Sequence, residues 1–224
     1  MNRILIALVV LLSTTAALAG DRADDVERLQ SGATVLKEIM TAPDSGVPDE
    51  VISSAKCVAV IPSMLKAAFG VGGAYGKGVA SCRTQKDHWS APAFFTVKGG
   101  SFGFQIGGQA ADIVMLIMND EGMNNLLQSK FKLGADASVA AGPVGRHADA
   151  STDWKMRAQV LTYSRTRGVF VGISLNGAVI TEHQDDTRDF YGRMVPFRTI
   201  LQGNIESPKD AAVWHDALVK YAGL

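Results

Sequence analysis

The sequence predicts an α+β domain: a strongly curved, largely antiparallel, barrel-like sheet flanked by an N-terminal and a C-terminal helix. Three observations carry this. The clearest amphipathic helical periodicity lies at the two ends of the chain. Between them run short apolar stretches of strand length, separated by turn residues. Glycine is concentrated inside those stretches, as in residues 66–82, KAAFGVGGAYGKGVASC, where Gly72, Gly73, Gly76 and Gly78 permit bends and close backbone approach. Helices, then strands, then helices is the order of an α+β fold.

The first residues, MNRILIALVVLLSTTAALAG, read as a secretory signal. Arg3 gives the positive start, residues 4–12 the apolar run, and Ala17-Leu18-Ala19 the small residues before a cleavage site between Ala19 and Gly20. The run falls short of the ~20 residues that span a bilayer. The alternative is an uncleaved anchor. The signal occupies residues 1–19, leaves 20–224 as one domain, and places it in the periplasm or cell envelope. The apolar stretch 113–118 is too short to span and follows Asp112 directly.

The chain has 22 basic and 22 acidic residues. Losing Arg3 with the signal leaves 21 − 22 = −1. No basic excess exists to neutralise nucleic-acid phosphates or to drive adsorption to anionic membranes, so lipid contact should be mostly apolar. Cys57 and Cys82 are the two cysteines. An even count in an oxidising compartment predicts a disulfide between them. Closing that loop stabilises by about 3 kcal/mol in the chain-entropy picture. The alternative is two buried thiols.

Element by element, residues 21–41 form a helix whose apolar face carries Val26, Leu29, Ala33, Leu36 and Met40. The other face carries Asp24, Asp25, Glu27, Arg28, Lys37 and Glu38. This acidic polar face favours packing on the core over lying on a membrane. A second short helix follows Pro48, up to about Ala55. Residues 58–61 are a strand stopped by Pro62. Residues 93–97 and 102–106 flank Lys98-Gly99-Gly100-Ser101 as a hairpin. A short helix covers 120–128 with Asp120 as its cap, and 132–141 is a strand. Trp154, Met156, Ala158 and Val160 alternate with Lys155, Arg157 and Gln159. Thr166-Arg167-Gly168 then turns the chain into a partner strand over 169–180. The closing helix has Ser207 as cap, Pro208 at its first position and Asp210 completing S-x-x-D. Ala211, Trp214, Leu218 and Tyr221 line its inner face, and Gly223 ends it.

Gly99-Gly100-Ser101-Phe102-Gly103 fits the G-x-S-x-G elbow of serine hydrolases, with Asp185 or Asp186 and His215 as partners. That elbow needs a helix after the serine, and residues 102–108 alternate like a strand. The run Gly70-Val71-Gly72-Gly73 matches neither phosphate-loop pattern. His88, His147, His183 and His215 show no metal-ligand spacing. Glu182, His183, Asp185 and Asp186 read as a solvated loop before a cation site. Asp112 opens the apolar run AADIVMLIM, where a carboxylate needs backbone donors or a charged partner; it reads as satisfying amides at a strand end or loop. No metal or cofactor is indicated.

Several motifs then resemble the SYLF domain family. They are KAAFGVGGAYG at 66–76, Trp89-Ser90-Ala91-Pro92, Gly103-Phe104-Gln105-Ile106-Gly107 leading into Asp112-Ile113-Val114, and LGADASVAAGPVGRHADAS at 133–151. Tyr163-Ser164-Arg165, GVFVGISL at 168–175 and Phe190-Tyr191-Gly192 complete the series. The resemblance covers about residues 53–192. It implies a lipid-binding module without catalytic residues; eukaryotic members bind phosphoinositides, and some bind or bundle actin. Export sets actin aside. The resemblance makes Lys66 and Phe69 candidates for a lipid-facing edge, Lys66 meeting a headgroup phosphate and Phe69 entering the apolar layer; the alternative is that Phe69 is core. The expected function is non-enzymatic binding of phospholipid or acyl chains in the envelope, mainly by apolar contact. The alternatives are a protein-interaction module of the envelope and, third, a hydrolase using Ser101.

Overall fold

The computed structural model describes residues 22–42, 46–84, 88–143, 158–166, 169–170 and 175–223; in strands, the backbone alone is described for 67–71, 101–109 and 169–170. The predicted signal with its cleavage site, Trp154 and Met156 lie outside the described residues. Helix α1 (22–40) and helix α2 (Asp49–Ser53) precede strands β1 (Cys57–Cys82) and β2 (Ala93–Ile117). Helix α3 (Asp120–Leu126), β3 (Lys130–Lys132), β4 (Val139–Ala141), β5 (Val160–Thr166), β6 (Val169–Phe170) and β7 (Val179–Glu182) follow. Helices α4 (Gln184–Tyr191) and α5 (Phe197–Leu201), a 3₁₀ turn (Lys209–Ala211) and α6 (Ala212–Ala222) close the chain.

The predicted α+β fold with a curved sheet between terminal helices is what forms. Its seven described strands make one mixed sheet, antiparallel except for β4 beside β5. The sheet is organised by a long two-stranded ribbon. β1 pairs with β2 from Cys57↔Ile117 to Ala80↔Ala93. β7 and β5 pair with the far edge of β2 at opposite ends, 95–98 and 112–117.

The ribbon folds over on itself. Drawn straight, 26 residues of strand would run roughly 80 Å, yet Cys57 and Cys82, its first and last residues, are disulfide-bonded with Cα atoms 3.9 Å apart. The predicted bridge is present and holds the two ends of one strand. Glycine makes the return possible. A Cβ at Gly78 would sit 2.8 Å from the Val60 carbonyl oxygen and 2.4 Å from the Phe95 ring. One at Gly76 would sit 2.5 Å from Ile61. At the fold-over the ladder skips from Ala68↔Gly107 to Gly70↔Gly103.

Two expected breaks are therefore corrected. Pro62 does not stop the strand; it lies in a bulge between Ile61 and Met64, where Ser63 takes φ 52°. Bulges accept a residue that cannot donate to the ladder. Residues 98–101 are not a hairpin turn, since β2 runs straight through them in register with 72–75.

Two cores result. Inside the fold-over, Ile61, Met64, Phe95, Ile113 and Met115 pack with Phe131, Ile180 and α5. Outside, Val58, Val60, Val79, Phe94 and Leu116 pack under α1 and α6 through Leu29, Leu36, Trp214 and Leu218. Because β5 lies between both, Val160 faces the inner core while Leu161 and Tyr163 face the outer one. Its side chains alternate between two cores, not between core and solvent. The β5–β6 hairpin forms as predicted, but Ile180 belongs to β7, beyond the turn at Asn176-Gly177. Likewise 132–141 is two short strands around a turn. α3 is capped by Asn119, whose side chain accepts from the Gly122 amide at 2.9 Å, one residue before the expected Asp120. Pro208 itself is the cap residue of the final 3₁₀ turn, with no side-chain cap bond, so Ser207 does not cap it.

Candidate functional site

Lys66 lies on the inner face of β1, beyond Met64, opposite Gln109. It lines a small cavity with Met64, Ala74, Gly99, Leu175 and Ala178, of about 20 Å³. That is roughly room for one water. Burial pushes the Lys66 ammonium below its usual range. No carboxylate pairs with it among the described residues. Its neighbour Leu65 points the opposite way and is 59% exposed. Phe69 is on β1 where the ladder skips at the fold-over; its side chain lies outside the described ones.

Ser101 lies within β2, opposite Gly72. The strand-to-helix elbow a nucleophilic serine requires is not formed there. Asp112 does what its position in an apolar run demands: Oδ1 accepts the Ser63 amide of the Pro62 bulge at 2.9 Å, and Oδ2 lies 3.7 Å from Arg165. Arg165 also pairs with Glu38 of α1.

The cluster 182–186 is not a solvated loop. It runs from the end of β7 at Glu182 into the start of α4, where His183 caps the helix, and Asp186 is buried. Asp186 meets Arg28 at 2.6 Å and Lys77 at 3.0 Å, and its Oδ1 is 3.0 Å from His183 Nδ1. The same Nδ1 is 3.2 Å from the Asp186 amide. One nitrogen serves one of these at a time. Burial pushes the Asp186 carboxyl up, but His183, Arg28 and Lys77 together outweigh it and hold the group at about 2.

Asp25 completes this network, and the sequence reading misplaced it on the solvent face. It is 1% exposed. Oδ1 accepts from Arg28 at 3.0 Å, while Oδ2 has no partner among the described residues. Burial first, then Asp186, raises its carboxyl to about 7 against the pull of Arg28 and Lys77. The signal was available: Asp25 stands four residues before Leu29 and eight before Ala33, on the buried face. Among the described residues no His, Cys, Asp and Glu group has the geometry of a metal site.

A third cluster ties the end of α2 to the end of α6. Arg83, directly after the disulfide, donates from Nε to Ala55 O at 3.0 Å, from Nη1 to Gly223 O at 3.2 Å, and from Nη2 to Ser53 O at 3.2 Å. Trp89, 4.6 Å below its guanidinium, donates Nε1 to Gly223 O at 2.8 Å. These contacts close the last turn of α6 and hold α2.

A family model described as Ysc84, Las17-binding protein actin regulator, matches residues 98–221. SH3 domain-containing YSC84-like protein 1 of rat is 32% identical over 195 residues, which are 84% of this chain and 57% of that protein. The human protein of the same name is 31% identical over the same shares. LAS seventeen-binding protein 3 of Saccharomyces cerevisiae is 33% identical over 168 residues, 74% of this chain and 36% of that protein. The chain spans little more than half the length of its animal relatives. Those descriptions are of binding and regulatory proteins. With more than half the chain matched, and with the glycine-rich ribbon in place, the chain belongs to the Ysc84, or SYLF, family.

Proposed function

We propose that this chain is an exported, non-enzymatic lipid-binding protein of the cell envelope that meets a bilayer surface mainly by apolar contact, with Lys66 and Phe69 at the contacting edge. The observation that carries the reading is the pair Leu65–Lys66: a large apolar side chain exposed to solvent beside a half-buried ammonium that pairs with no carboxylate among the described residues. Apolar contact contributes about 0.8 kcal/mol per buried methylene, and a lysine at the rim reaches headgroup phosphates while its stem stays apolar. The cavity at Lys66 is too small for an acyl chain, which favours contact with a lipid surface over an enclosed lipid. Phosphoinositide headgroups are the class the family resemblance adds.

Flotation of the mature protein with phosphatidylcholine vesicles, with and without phosphatidylinositol, tests the binding. Leu65→Asp should reduce co-flotation about tenfold. No co-flotation, together with no lipid retained in native mass spectrometry, overturns the reading. Export is tested separately: protein recovered from the periplasm should begin at Gly20.

A second reading is a protein-interaction module, favoured by the Las17-binding description of the matched family. A cross-linked pull-down giving one dominant protein partner and no lipid would select it. Actin becomes a candidate partner only if the chain is found in the cytoplasm.

A further inference from the structure

We infer that the fold-over of the β1–β2 ribbon enters the bilayer interface end-on, as an uncharged wedge collared on its two limbs by Leu65–Lys66 and Tyr75–Lys98. This rests on the lipid-binding reading and assigns it a surface and an orientation.

Four observations converge. Residues 67–76 and 99–111 contain no Asp, Glu, Lys, Arg or His, and 67–74 face 99–108 across the ribbon. Charge resumes on both strands at each border, with Lys66 and Asp112 on one limb and Lys77 and Lys98 on the other. Asp112 and Lys77 are committed to internal partners; Lys66 and Lys98 have no carboxylate partner among the described residues. Lys98 instead lies 5.8 Å from the ring centre of Tyr75, its register partner.

The limbs of the ribbon face each other inward. A Cβ at Gly76 would lie 3.2 Å from Met64 Cγ. Side chains alternate along a strand, so Leu65 and Tyr75 point outward from opposite limbs. Tyr75 is 43% exposed. The two do not make one flat patch; they ring the fold-over from both sides. Toward that fold-over the register pair Gly73 and Gly100 has no atom within 4 Å of either added Cβ. Among the described residues, 99–111 pair with β1 alone.

The chemistry of the occupant follows. An uncharged ribbon with a tyrosine and two lysines at its border matches the order of a bilayer: acyl layer, interface, phosphates. At the fold-over each strand of the ribbon pairs along one edge only among the described residues, and its outer-edge N–H and C=O groups need water or headgroup partners, which sets the depth of the wedge at the interface and not across the acyl layer. Near-zero net charge is no obstacle, because the cations that matter are within reach of the headgroups and the rest are screened beyond about 10 Å.

The test places a reporter at the wedge. Gly73→Trp and, on the facing strand, Gly100→Trp put an indole where there is open space. Each is mixed with phosphatidylcholine vesicles, with and without phosphatidylglycerol, carrying brominated acyl chains. The expected result is a blue shift and bromine quenching of the new tryptophan, above the signal of the parent protein. Tyr75→Glu with Lys98→Glu should weaken partitioning about tenfold, with the larger loss on phosphatidylglycerol vesicles. Co-flotation with an unshifted, unquenched reporter at both positions overturns the wedge while leaving lipid binding intact. Absence of co-flotation for the parent protein in either vesicle overturns both.

Discussion

The two limbs of the ribbon and its fold-over are one ladder with one kind of hydrogen bond, yet they have opposite physical character. In the limbs Val58, Val60, Val79 and Phe94 face one core and Cys57, Ala59, Ile61 and Phe95 the other, all fully buried. Around the fold-over, glycine replaces those side chains, and Leu65, Tyr75, Gly73 and Gly100 are exposed. The difference teaches that glycine means two things in this chain. At Gly76 and Gly78 it lets two layers approach; at Gly73 it leaves a surface bare. Stability resides in the limbs, and the proposed contact in the bend they support.

The strongest way to break this comparison is to put the same side chain in both places. Gly78→Val drives a Cβ into a backbone oxygen, so we expect a loss of more than about 3 kcal/mol, while Gly73→Val changes stability by less than about 0.5 kcal/mol. Urea midpoints of the two variants check this; equal losses would end the distinction. Next, replacing both Cys57 and Cys82 by Ala should cost about 3 kcal/mol, lowering Tm with secondary structure intact by circular dichroism. Third comes Asp25. Its folded carboxyl lies above its ordinary value of 3.8, at about 7, so the native state holds the proton more tightly. Its contribution is complete below about pH 4 and is lost as pH rises through 7. Asp25→Asn should therefore gain on the parent protein with rising pH, by on the order of 2 kcal/mol at pH 8, read from urea curves at pH 5 and pH 8. Asp186 has the reverse sign: its contribution holds above pH 4 and fades as pH falls through about 2. The smallest effect is Leu65→Ser, which should leave Tm unchanged within about 1 °C while lowering vesicle binding.

Where side-chain pattern and backbone agreed, the sequence was readable. Leu29, Ala33 and Leu36 marked the inner face of α1, and Ala211, Trp214 and Leu218 that of α6. Cys57 and Cys82 had one possible pairing. Asp112 was read as a servant of backbone amides, and it serves Ser63. The misses share a cause. Pro62 and residues 98–101 carry the chemistry of a break, and local rules cannot see that a bulge or a long-range partner carries the strand through. α4 and α5 were absent from the reading because each is eight residues or fewer and held by tertiary packing; Phe190, Phe197 and Ile200 are buried. Asp25 was assigned by charge when its spacing said otherwise. Lys66 was nameable only through the family resemblance; that no carboxylate among the described residues pairs with it is a property of the folded ribbon. Tyr75 and Lys98, nine and thirty-two positions further along the chain, meet only through the β1–β2 register.

The disulfide also bears on how the chain finds its fold. A ladder that pairs Ala80 with Ala93 and ends with Cys57 on Ile117 zips from near neighbours to distant ones, and its last contacts are the slow ones. With two cysteines, oxidation within one chain has no wrong pairing. A bond made in the unfolded chain pins the ends of β1 together beforehand, turning the return of the strand into a local search. An oxidised chain should then refold faster than its reduced counterpart, in addition to unfolding more slowly.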